Sequence, residues 1–132
     1  MVRRVQDETI ILNLASGDAA ASGLAIDVSD FRHAIVSVAF TGFTGTIKFQ
    51  ASAKLTKPTF SSAQSSSNEW EYVQVIDLED GASIDGDTGI VGSTTTDVRL
   101  FEINTNLISW LCVTATAKSA GAVKVTARAS EN

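Results

Sequence analysis

Nucleophilic catalysis needs an activated Ser or Cys with a base in reach, and this 132-residue chain holds one histidine, His33, and one cysteine, Cys112. His33 stands in Phe31-Arg32-His33-Ala34, at the solvent edge of a strand. Cys112 stands in the apolar run Trp110-Leu111-Cys112-Val113, where a thiol packs as a small inert hydrophobe. There is no G-x-S-x-G motif, nothing suggests a triad, and no catalytic residue is assigned. One His and one Cys also fall short of a zinc cluster. Hard cations take oxygen ligands, and Asp77, Glu79, Asp80, Asp85 and Asp87 put five carboxylates within eleven residues. Their spacing lacks the third liganding position and the distal glutamate of an EF-hand. Solvated loop charge is the simpler reading, calcium stays open for residues 77–87, and no metal ligand or cofactor is assigned. Glu69 and Glu71 are the best candidates for the carboxylate pair of a glycoside hydrolase. Trp70 and Tyr72, between and beside them, would make a sugar-stacking platform. The plainer expectation puts both carboxylates on the solvent side of a strand whose aromatics face the core.

The elements that would position these residues are strands. Alternation of apolar and polar residues runs from end to end, and no window shows a convincing helical period. Residues 8–14 and 23–28 read as the first two strands. In 32–40, Ala34, Val36, Val38 and Phe40 share a face; after a turn over 41–45, strand 46–53 places Ile47, Phe49 and Ala51 inside and Lys48, Gln50 and Ser52 outside. Residues 54–68 hold the single proline and five serines, and read as a surface loop. Alternation resumes over 69–78, breaks in a second loop over 79–95, and returns in 96–104, 107–116 and 123–128, with a turn over 118–121. With no helix following them, the glycine-rich turns are not phosphate loops. About eight short strands between turns predict an all-β domain, an antiparallel β-sandwich or jelly-roll-like fold. The domain is expected over 8–130, preceded by a polar N-terminal arm, 1–7. Val36, Val38, Phe40, Ile47, Phe49, Val73, Val75, Phe101, Ile103, Trp110, Val113, Val123 and Val125 form the expected core.

Composition fits one domain. Hydrophobic residues make up 44% and charged residues 19%, with 15 serines and 14 threonines, a mix that excludes intrinsic disorder. A net charge of −5 argues against a bulk electrostatic nucleic-acid binder. No stretch reaches the length that spans a membrane, and the apolar run Ile10-Ile11-Leu12 is too short for a signal peptide's core. A lone cysteine makes no internal disulfide.

Two stretches resemble small virion proteins of tailed bacteriophages. Asp30-Phe31-Arg32-His33-Ala34-Ile35-Val36-Ser37-Val38 and the run from Thr41-Gly42-Phe43 to Gln50-Ala51-Ser52 resemble their early strands. Asn106 to Ala115 with Ser119 to Ala127 looks like their closing hairpin, and Trp70 and Tyr72 to Asp77 match a Trp-containing middle strand. The likeness covers about residues 27–130; the serine-rich loop departs from it. It implies a non-enzymatic bacteriophage structural protein that decorates or stabilises the capsid, made in the host cytoplasm and located in the virion. Neck, tail or fibre membership is the alternative within that class, and a carbohydrate-binding module centred on Trp70 and Tyr72 is the alternative outside it. Expected partners are other virion proteins and further copies of the chain, a trimer among the options, with neither nucleic acid nor membrane involved. Few charges on strands 23–28 and 120–127 suggest sheet edges that a neighbour or the arm must cover. The arm is expected to lie across a neighbouring subunit.

Overall fold

The computed structural model describes residues 4–131, and every regular element among them is a β-strand. In chain order these are β1 (Thr9–Leu14), β2 (Ile26–Asp27), β3 (His33–Ser52), β4 (Glu71–Val73), β5 (Val75–Asp77), β6 (Ser83–Ile84), β7 (Ile90–Asn104) and β8 (Trp110–Ser130). All pairings are antiparallel. The strands run in the order β1-β8-β3-β7-β5-β6, with β2 on β8 and β4 on β3. The expected all-β, eight-stranded, sandwich-like architecture is therefore present.

Three strands are much longer than the alternation suggested. The turn expected over 41–45 lies inside β3, and the one over 118–121 lies inside β8, so the expected closing hairpin is one continuous strand. The loop expected over 79–95 contains β6 and the first residues of β7, while strand 69–78 breaks at Gln74 and strand 23–28 shrinks to two residues. The glycines and threonines at those points make bulges instead of reversals. Register shifts at 40–45 in β3 against β7, and at 41–46 against β8, stand at one level across the three strands. A bulge adds a residue and bends its strand. At Gly121 (φ +78°) a Cβ would sit 2.1 Å from the carbonyl oxygen of Gly42, so only glycine admits this approach. Thr94 (φ +50°) and Ala117 (φ +54°) take the same left-handed conformation on the flanking strands, a cost that the surrounding sheet must hold in place.

The bend changes which residues face inward. Along β3 the buried apolar residues are Ala34, Val36, Val38 and Phe40, then Phe43, Ile47, Phe49 and Ala51. The phase slips by one residue, and β7 slips with it, from Ile90 to Phe101 and Ile103. Both halves thus feed one core, which β8 completes with Leu111, Val113, Ala115, Val123, Val125, Ala127 and Ala129. Phe43, fully buried at the bend, stacks on Phe40 with centroids 5.0 Å apart.

Two of the expected core residues are only half-buried. Val73 packs against the core from its margin. Trp110, on the even-numbered face of β8, is turned away from the core and donates its indole N–H to the carbonyl of Leu55 at 3.2 Å. The strands expected to need a neighbour are covered by this chain itself. Residues 123–127 lie between β1 and β3. Gly23 N–H bonds Val113 O, Leu24 N–H bonds Ile11 O and Val28 N–H bonds Ser109 O, so 23–28 is itself a cover. Residues 4–7 of the arm lie on their own subunit: Gln6 N–H donates to Ala129 O, Arg128 Nε donates to Gln6 O, and Arg4 pairs with Asp30 at 3.1 Å. Residues 4–7 thus dock on their own chain, where the expectation had the arm lying across a neighbour; residues 1–3 are outside the described residues.

Candidate functional site

The bend hands the outer face of the second half of β3 to Lys48, Gln50 and Ser52, and residues 53–70 fold back over it. Ser52 Oγ donates to Glu69 O at 2.8 Å, and the Gln50 side-chain amide donates to Phe60 O at 2.9 Å. Asn68 ties the loop to itself, accepting from Thr59 N–H and donating to the carbonyls of Thr59 and Ala63. Gln50 and Ser52, expected in solvent, are buried as a result. Tyr72 pairs with Gln50 across the β3–β4 ladder, so it too stands on this face. Trp70 and Tyr72 therefore do not face the main core; Val75, of opposite phase, does. They form an aromatic corner with Phe60. Trp70 meets Tyr72 edge-on, with centroids 5.0 Å apart, and Phe60 at 6.3 Å. Its indole N–H donates to Ser62 O at 3.0 Å. Lys48 Nζ lies 4.9 Å from the Tyr72 ring centre, a cation–π distance.

Trp70 stands between two clefts. One, of about 420 Å³, is lined by Ser22, Gln50, Phe60, Tyr72 and Thr114 and by residues 61–64. The other, of about 540 Å³, is lined by residues 51–54, Gln64, Ser65 and residues 69–71. Both volumes fall within the range of small-ligand sites. Gln50 is 1% exposed, and its Oε1 is buried with no hydrogen-bond partner among the described residues. Exchanging the amide's ends would set oxygen against the Phe60 carbonyl, so the unsatisfied atom is an acceptor. The two glutamates are engaged separately. Glu69 pairs with Lys54 at 2.7 Å, and Glu71 Oε1 accepts from Tyr72 N–H at 2.9 Å and from Gln64 at 3.2 Å.

The other sequence candidates do not join them. His33 is not at a sheet edge, since β3 lies between β8 and β7; its Nδ1 is 3.6 Å from Glu102 Oε2, and it lines a separate cleft of about 380 Å³ with Ile35 and Arg128. Cys112 is buried, its S–H directed to Gly23 O, and burial pushes the thiol pKa up. The acidic run caps turns: Asp80 accepts from Ala82 N–H and Asp85 from Asp87 N–H. Asp77 accepts from Glu79 N–H and pairs with Arg99, whose guanidinium covers Phe101. The Glu79 amide first, then Arg99, hold the Asp77 carboxyl below its ordinary value against the opposing effect of burial. Among the described residues no three His, Cys, Asp or Glu side chains come together as a metal site.

Solved structures share this arrangement of strands. The SPBc2 prophage-derived protein YomS superposes with a TM-score of 0.70 at 11% identity, over 98% of this chain and 96% of YomS. The PBSX exported protein XepA superposes with a TM-score of 0.71 at 15% identity, over 98% of this chain but 39% of XepA. The fold thus spans nearly all of the compared chain in one case and well under half of it in the other. No family model and no curated protein matches the sequence.

Gln50, Phe60, Ser22 and Thr114 were not legible as site residues. Gln50 and Thr114 sit at polar positions of alternating strands, where solvent is the default reading. The available signal was Phe60: an aromatic within a serine-rich loop must find cover, and the nearest cover is the outer sheet face.

Proposed function

We propose that this chain is a bacteriophage-encoded, non-enzymatic structural protein of the virion, acting through contacts with other virion proteins and with copies of itself. The supporting observation is the likeness of the whole chain to a prophage-derived protein, end to end on both sides, alongside a second phage-derived chain of the same fold. Capsid decoration is the finer reading. It draws on the outer sheet face, where Val98 and Leu100 of β7 and Ile10 of β1 are exposed. The ladders connect Ile10, Thr126, Ser37 and Leu100 in one cross-strand row. Such a row offers apolar area with little side-chain entropy to lose on contact. A second reading, a phage product released from the cell, is favoured by the exported character of XepA.

Particles from a phage lacking the gene separate the two. Added purified protein is expected to sediment with those particles, and Leu100→Asp with Val98→Asp to abolish the association while the fold persists. Protein that stays at the top of the gradient while accumulating in the medium of infected cells supports release instead.

A further inference from the structure

We propose that the cleft between Trp70, Tyr72 and Gln50 binds a neutral saccharide. The unassigned feature is the Gln50 side chain, which lines this cleft and whose Oε1 is an acceptor buried with no partner among the described residues. Leaving such an atom unpaired costs stability, and a hydroxyl or amide N–H that enters the cleft and parts the side chains over Gln50 supplies its donor. The remaining lining selects the ligand class. Ser22 and Thr114 contribute hydroxyls, and Phe60, Trp70 and Tyr72 contribute apolar and aromatic surface. No side chain with a formal charge lines this cleft; Lys48 Nζ stands 4.9 Å from the Tyr72 ring centre, and the carboxylate of Glu71, which lines the second cleft, is held by Gln64 at 3.2 Å. A pyranose has that dual character, an apolar face of C–H groups and a rim of hydroxyls. The few fixed polar groups would orient it, and the ring surface would supply contact area. The second cleft, beyond Trp70, gives room for another sugar unit, so an oligosaccharide fits better than a single residue.

The test is titration of the full-length protein, isotopically labelled, with maltotriose, cellotriose and chitotriose, and with trigalacturonate as the charged control. One neutral trisaccharide is expected to shift the Gln50 side-chain amide and Trp70 indole signals saturably, with trigalacturonate inert. Gln50→Met, with folding confirmed by its melting curve, should bind at least about tenfold more weakly. The wild-type titration needs no variant, so a misfolded substitution leaves the test intact. Absence of saturable shifts at Gln50 and Trp70 with all three neutral sugars overturns the proposal. So does equal binding of the charged trimer, or saturable shifts confined to another face.

Discussion

At the residue scale, position relative to the bend decides what an aromatic contributes. Phe43 and Phe49 are at most 1% exposed inside the core. Truncating either to alanine should cost about 3–5 kcal/mol, the range for large buried aromatics. Trp110→Ala should cost clearly less, because its ring covers the outer face under Leu55 and is half-buried. Chemical denaturation of the three variants checks the order; an equal or larger loss at Trp110 would contradict the face assignment. Asp77 gives a pH-dependent counterpart. Its folded pKa is lowered, so its stabilisation is fully present above the unfolded value near 4 and is lost as pH falls through the folded value. Asp77→Asn keeps an oxygen for the Glu79 amide and removes the charge. The variant should therefore melt below wild type at pH 7, and the gap should close as pH drops below about 4. A gap of constant size from pH 7 to pH 3 would contradict the role given to the charge.

At the element scale, strand character was legible and strand continuity was not. Alternation in Ala34 to Phe40 and in Ile47 to Ala51 identified the inward residues of β3 correctly on both sides of the bend. The stretch between them, Thr41-Gly42-Phe43-Thr44-Gly45, has the residues of a reversal, and they serve equally for a bulge. Only the neighbouring strands decide between the two, because Gly121 must fit against Gly42. Trp70 and Tyr72 were legible as a candidate pair, but their partner Gln50 lies some twenty positions away and becomes visible only through the β3–β4 ladder. The arm offers a direct check. Residues 4–7 contribute a few exposed hydrogen bonds along β8 and the pair Arg4–Asp30. Deleting 1–7 should retain the β-rich circular dichroism spectrum while lowering stability by about 1–2 kcal/mol, as exposed hydrogen bonds are worth about 1 kcal/mol each. An unchanged melting curve would contradict the docking of the arm on its own subunit.

At the scale of the whole molecule, the bent three-strand framework is self-covered at 23–28 and 123–127, so neighbouring copies are not needed to close the sheet there. The outer face of β7 and β1 leaves Val98, Leu100 and Ile10 exposed, and it is the face proposed for contact. Any sugar bound beside Trp70 would use the other half of the molecule, leaving that face open to protein partners. The proposed role makes the chain a component of the particle. Quantitative mass spectrometry of gradient-purified virions measures this most directly. A constant ratio of this chain to the major capsid protein across the particle peak is the predicted result. Particles free of the chain, with all of it recovered from the surrounding medium or the cell lysate, would contradict the claim.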